Sequence, residues 1–385
     1  MKEPKIRLRG FSGEWEETTI GKVISVNRGV RITRKDLVEH GLYPVYQNTD
    51  YPMGYFNRYN VKSNNPFVII GGSAGLVGFS DRDFWAADDC AYFGDNDNLD
   101  KSYLYGLLLN KSCEIKKNVR GSSVPRLDRQ VIIDLNISLP IIEEQQSIAS
   151  YFQNLDSLIQ STTKKIESLK QVKAASLQSM FPQEGETTPR VRFKGFTKYW
   201  ELCKLDSILS ERHEASTITQ ELPQLSFTIA DGVIRPEDRK SNKRDFLIKD
   251  KDNKRYLITR VGDIIYNPAN VVFGAIHRNS LIDGVVSPIY RIFYTNQDSR
   301  FIECVVRRPS FISQLAMRTE GTVTKLKTLK PEAFLDMEVC IPTDKEEQKA
   351  IGEYFQNLEA KITLQTQRLE KLKQIKSACL DNMFV

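Results

Sequence analysis

Two stretches of the chain carry their apolar side chains on a period close to three and a half residues. Leu155, Ile159, Thr162, Ile166, Leu169, Lys173, Ser176 and Met180 follow one another in alternating steps of four and three. Leu358, Ile362, Gln365, Leu369, Leu372, Lys376, Cys379 and Met383 do the same. Such alternation is a heptad seam, the stripe along which one helix packs on another. No Gly or Pro interrupts residues 151–181 or 354–384. Each stretch therefore reads as part of one unbroken helix, about 58 Å long over residues 143–181 or 346–384 at the usual rise per residue. Helices with like seams should pack together. A long globular segment separates these two, which makes antiparallel packing the easiest geometry.

The two seams are copies of each other. Residues 143–181 and 346–384 are identical at 20 of 39 positions, at a constant offset of 203. Repetition at a fixed separation over such a length means two examples of one structural unit. A shorter echo precedes each body: residues 4–11 with Trp15 recur, at an offset of 185, as residues 189–196 with Trp200. Each body ends at a proline (Pro140, Pro342), and Glu-Glu-Gln opens the helix beyond it. Acids there suit the positive end of the helix dipole. The expected organisation is a first domain over residues 1–140, a long helix over 141–181 and a linker over 182–188. A second domain over 189–342 and a second long helix over 343–385 follow.

Inside the bodies the pattern shortens to runs of strand length. Residues 67–70, 257–259, 263–266 and 285–293 read as strands, with Gly71-Gly72 turning the first. Residues 102–118 and 299–317 read as helical patches. Tyr43, Tyr46, Tyr51, Tyr55 and Tyr59 divide between core and an exposed face, roughly half to each. The fold class is α+β: two mixed, β-rich globular domains separated by two long helices, packed as an antiparallel coiled coil with a pseudo-twofold internal repeat.

Composition narrows the picture little. The 385 residues are 40% hydrophobic and 27% charged, ordinary values for a globular protein. No run approaches the ~20 apolar residues of a membrane span. The start, MKEPKIRLRGF, lacks the apolar core of a secretory signal, so a cytoplasmic location is expected. Six scattered cysteines without a CxxC pair, and three isolated histidines, give no reason to expect a metal site or a disulfide framework. The net charge of +6 matters less than its distribution. Residues 235–260 hold ten Lys or Arg against five acids, and residues 115–129 hold five against one. Clustered cations neutralise phosphates and release counterions, the main non-specific contribution to DNA affinity.

Several fragments mimic catalytic signatures without completing them. Residues 267–270, Asn-Pro-Ala-Asn, lack the second proline and the aromatic of an adenine methyltransferase loop. The glycine-rich residues 71–78 lack the Gly-Lys-Ser/Thr of a P-loop. Pro236-Glu237-Asp238 reads as a charged loop rather than a metal-holding carboxylate cluster. His277, beside Arg278, reads as a surface turn residue or, less readily, a DNA contact.

The order of the segments and their motifs resembles the DNA-specificity subunit of type I restriction-modification systems, over nearly the whole chain. The residues carrying the likeness are Leu139-Pro140, Glu143-Glu144-Gln145, Ile148, Tyr151-Phe152 and Leu155-Asp156. The exit Met180-Phe181-Pro182 into Arg192-Phe193-Lys194-Gly195-Phe196 belongs with them. The second copy matches through Ile341-Pro342, Glu346-Glu347-Gln348, Tyr354-Phe355 and Leu358-Glu359. A Gly-Ser/Thr-rich turn before the last strand of each body fits residues 121–127; residues 321–326 fit less closely, since they lack the proline.

The resemblance implies two target-recognition domains, each reading one half of a bipartite double-stranded DNA site, with the helices setting the spacing. It also implies that this chain is non-catalytic and binds no cofactor. Two methyltransferase subunits using S-adenosylmethionine, and translocase-nuclease subunits using ATP and Mg²⁺, would supply the chemistry. Candidate DNA contacts are Arg28, Arg31, Arg34, Lys35, Gln47, Asn48, Lys116, Lys117, Arg120, Ser122 and Ser123 in the first domain. Lys240, Lys243, Arg244, Asn270, Lys325 and Lys327 are those of the second. Leu158, Val172 and Ile375, off the seam, are candidates for partner docking. Three other readings stay open: the recognition subunit of a type IIB-like enzyme, a self-contained adenine methyltransferase, and a coiled-coil scaffold without a DNA role.

Overall fold

The computed structural model describes residues 3–183, 185–239, 254–319 and 328–385. The chain divides into two compact units: residues 1–165 with 366–385, and residues 166–365. The divisions fall inside the two long helices, Ile142–Ser179 and Lys345–Met383. Each unit therefore contains one body, the start of the helix that follows it, and the end of the other helix.

In the first unit the apolar run Phe67, Val68 and Ile69 is fully buried, as a strand covered on both faces requires. It lies inside a four-stranded antiparallel sheet with spatial order Val26–Arg28, Cys90–Phe93, Asn65–Ile69, Val77–Ser80. A three-stranded sheet (Gly54–Phe56, Tyr43–Tyr46, Trp85–Ala86) includes one parallel pairing, and Glu16–Thr19 pairs with Asn136–Leu139. The helices Lys101–Asn110 and Ser112–Lys117 cover the larger sheet with Ile115, Leu104, Leu107 and Leu108 fully buried.

The second unit repeats this plan. Its four-stranded sheet runs Leu209–Glu211, Arg291–Thr295, Ile264–Tyr266, Ile276–Arg278, and Trp200–Lys204 pairs with Glu338–Pro342. Its three-stranded sheet (Ala215–Ser216, Tyr256–Thr259, Gly284–Val286) is wholly antiparallel, and a hairpin, Ser226–Thr228 with Gly232–Ile234, has no counterpart in the first unit among the described residues.

Two sequence expectations, the strand 285–293 and the tyrosine cluster, need correction, and the two helical patches each subdivide. Residues 285–293 are two strands, ending at Val286 and resuming at Arg291, because Pro288 between them has no N–H to give a ladder. The patch 102–118 is two helices meeting at Lys111, and 299–317 is Ser299–Val306 followed by Pro309–Met317, with Pro309 starting the new helix. Of the five clustered tyrosines only Tyr46 is buried, and Tyr51, Tyr55 and Tyr59 are exposed.

Repeated residues do repeated work. Glu144 and Glu347, read from sequence as partners of the helix dipole, are buried and bound through both oxygens. Arg7 Nε and Nη2 reach Glu144 at 2.9 and 2.8 Å, and Arg192 reaches Glu347 at 2.8 and 2.6 Å. Hydrogen bonding to the carboxylate raises the pKa of both guanidinium groups. Gln145 and Gln348 accept from the backbone N–H of Asp100 and Asp298, the residues that cap the helices Lys101–Asn110 and Ser299–Val306. Each lead-in motif and each body is thus tied to the start of its long helix. The other end is sealed by aromatics: Phe384 packs on Tyr103 and Phe152, and its counterpart Phe181 on Phe301, Phe355 and Trp200.

Candidate nucleic-acid interface

In the first unit Arg31, Arg34, Gln47 and Asn48 line one open cleft with Thr33, Thr49 and Met53. Arg34 and Lys35 sit in a short turn that Thr33 and Asp36 cap reciprocally. Hydrogen bonds from the Thr33 hydroxyl and N–H hold the Asp36 carboxyl below its usual pKa. Arg28 is exposed and donates from Nε to the Asp88 carbonyl at 2.7 Å.

A second cationic group adjoins this cleft. Arg120 and Arg126 exchange backbone hydrogen bonds at 2.9 and 2.8 Å, closing a small loop whose Ser122 and Ser123 are exposed. Gly121 makes its turn at φ +89°, which only glycine tolerates cheaply. The loop is pinned to the sheet by Gly72 N–H on the Pro125 carbonyl and Leu127 N–H on the Ile70 carbonyl. Lys116 lies against the Gly75 turn, and Ser73 N–H donates to the Asn48 carbonyl at 3.0 Å. The glycine-rich residues 71–78 are thus a β connection joining the two groups. Among the described residues none of Arg31, Arg34, Lys35, Lys116, Lys117 or Arg120 is held in an ion pair. The arrangement offers an anion exposed cations on one side and amide and hydroxyl groups between them.

The type I restriction modification DNA specificity domain matches residues 12–171. The specificity subunit of the type I restriction enzyme MjaVIII from Methanocaldococcus jannaschii is 22% identical over 96% of this chain and 91% of its own length. The chain is thus similar to type I specificity subunits over nearly its whole length, and the family's domain is matched in its first part. The specificity subunit of EcoDI from Escherichia coli is 23% identical over 46% of this chain and 40% of its own. The fold is shared with the S subunit of the type I system of M. genitalium, at TM-score 0.70 and 15% identity, covering 100% of this chain and 99% of that one.

In the second unit Lys240, Lys243, Arg244, Lys325 and Lys327 lie outside the described residues. Asn270 is half-buried in the turn after strand Ile264–Tyr266, where its carbonyl accepts from Phe273 and Ala275 N–H. The Asn267 side chain accepts from Ala269 N–H at 3.0 Å, so residues 267–270 form a closed turn. Phe273 at its end is 65% exposed, and Met317 is 79% exposed; neither was singled out from sequence. Only their aromatic or thioether character hinted at them. His277 is not a surface residue: it is buried in strand Ile276–Arg278, and its Nε2–H donates to the Ile229 carbonyl at 2.8 Å. Among the described residues no group of three or more His, Cys, Asp or Glu is placed to hold a metal ion. No described helix is long and apolar enough to cross a membrane.

The seam positions are all buried or half-buried, including Leu155, Ile159, Ile166, Leu169, Leu358, Ile362, Leu369 and Leu372. In the first unit Tyr151 meets Cys379 and Asp156 meets Lys376, so chain numbers rise on one helix as they fall on the other. The second unit mirrors this: Tyr354 meets Ser176 and Glu359 meets Lys173. Packing is antiparallel in both. Leu158, Val172 and Ile375 are exposed off the seam, as is Leu364.

Proposed function

We propose that this chain is the DNA-reading subunit of a type I restriction-modification complex, each body recognising one half of a bipartite site. The observation that carries the reading is the repeat itself: one fold plan built twice, with bodies whose sequences and surfaces differ. In the first unit Arg31, Arg34, Lys35, Lys116, Lys117 and Arg120 set the register on phosphates while Gln47, Asn48, Ser122 and Ser123 reach base edges. Arg28 supports the same face. In the second unit the expected contacts are Asn270 and, outside the described residues, Lys240, Lys243, Arg244, Lys325 and Lys327. The paired helices act as a ruler that fixes the unread gap between half-sites.

Methylation and cleavage come from partners. Two methyltransferase subunits carrying S-adenosylmethionine dock on the helices through Leu158, Val172 and Ile375, where packing buries apolar side chains that now face water. Translocase-nuclease subunits bring ATP and Mg²⁺. The chain should be co-purified with its methyltransferase subunits and mixed with random duplexes. Bound DNA is expected to converge on two short sequences separated by a gap of fixed length. Absence of enrichment, or methylation by the isolated chain, would refute the reading.

A further inference from the structure

A buried carboxylate stands behind the cationic face of the first unit. Asp89 is 8% exposed and lies in the turn between strands Trp85–Ala86 and Cys90–Phe93. Its Oδ1 pairs with Nη1 of Arg126, and its Oδ2 accepts from Asn48 Nδ2 at 3.3 Å. The backbones of both partners are fixed as well: Arg126 by its two bonds to Arg120, and Asn48 by Ser73 N–H on its carbonyl. Two glycines make the space. A Cβ on Gly71 would collide with the Asp89 carboxylate and the Arg126 guanidinium, and one on Gly72 would collide with the Asn48 side chain.

A guanidinium held at one nitrogen still presents its other N–H groups, and the Arg126 side chain is 56% exposed. Pairing with Asp89 offsets its charge, which makes it a poor phosphate anchor. The pairing leaves a rigid fork of donors, the geometry that matches the paired O6 and N7 acceptors of guanine in the major groove. We propose that Arg126 reads a guanine edge in the first half-site, and that Asp89 is a positioning residue holding Arg126 and Asn48 in their reading orientation. This rests on the DNA-reading function proposed above. Asp89 touches no DNA itself; it acts through the two side chains it fixes, as a supporting shell does at any precise site.

The test uses the full chain assembled with its methyltransferase subunits and a pool of random duplexes, with methylated adenines mapped by sequencing. For the unaltered complex a two-part preference is expected, with guanine favoured at one or more positions of one half-site. Arg126→Ala should erase that preference at a single position, by about tenfold or more, and leave the other half-site unchanged. Arg126→Lys should erase it too, because lysine keeps the charge but not the fork. Asp89→Asn, nearly isosteric, should weaken the same position several-fold without lowering the melting temperature enough to explain the loss.

A uniform drop across all sequences, rescued by lysine, would make Arg126 a phosphate contact and overturn the inference. An unchanged two-part preference in Arg126→Ala would overturn it as well, leaving the proposed function standing. An unaltered complex with no sequence preference would overturn both.

Discussion

Phe384, the second residue from the end of the sequence, is expected to hold the first unit together, and truncating it to alanine measures how much. Its ring is 5% exposed and lies 5.3 Å from Tyr103 and 5.7 Å from Phe152, centroid to centroid. It presses so closely on the helix Lys101–Asn110 that Gly106 has no room for a Cβ beneath it. Removing a buried phenyl ring costs about 3–5 kcal/mol. Phe384 lies just past the last turn of its helix and packs on two rings rather than three, so the low end, about 3 kcal/mol, is expected. Hydrogen exchange read by mass spectrometry reports this locally. Amides of residues 101–110 and 372–383 should exchange roughly a hundredfold faster in Phe384→Ala, given that 1.4 kcal/mol is a factor of ten. Phe181, its repeat counterpart, is fully buried against three rings, so Phe181→Ala should cost nearer 5 kcal/mol. Less than a threefold change at 101–110 in Phe384→Ala would mean that the aromatic seal does not secure the helix end.

Three further outcomes follow from the same geometry. Glu347→Ala removes a buried carboxylate that accepts twice from Arg192 and leaves that half-buried cation with the Lys198 carbonyl alone, so a loss of about 3 kcal/mol in urea unfolding is expected; a loss below about 1 kcal/mol would show the pair to be dispensable. Burial, aided by the nearby Arg307 cation, holds His277 below the usual imidazole pKa, so the native state binds that proton more weakly than the unfolded chain. Stability should then decline as pH falls below about 6.5 and level off below the native pKa; His277→Gln should flatten that decline, and an unchanged slope would assign it to other groups. Inserting one heptad into both long helices should lengthen the tolerated gap between half-sites by about three base pairs, from a helix rise of 1.5 Å per residue and a DNA rise of 3.4 Å per base pair. A gap preference that stayed put would remove the helices as the ruler.

The long helices were legible because a period near 3.5 maintained over thirty residues has no other structural meaning, and the seam residues are buried where that period places them. The antiparallel packing followed from simple economy of connection. Short elements were less legible. Pro288 and Pro309 marked the breaks at 285–293 and 299–317, yet the apolar content around them read as continuous. His277 reads as surface because of its neighbour Arg278, yet pairing with Ile265 buries the histidine while Arg278, on the opposite face of the strand, stays half-buried. Long-range chemistry left almost no local trace. Arg7 and Glu144 lie 137 residues apart, and Asp89 and Arg126 lie 37 apart, so neither pair could be read from periodicity. The Gly71-Gly72 turn was visible, but not the side chains that need its lack of Cβ atoms.

The central claim is that one chain reads two half-sites at a fixed separation on behalf of methylating partners. Mapping methylated adenines across the genome of a strain with and without this gene tests it most directly. The expected result is a set of modified sites, each two short sequences split by a gap of one length, that vanishes when the gene is deleted. A map unchanged by deletion, or a dependent motif that is continuous, would contradict the account.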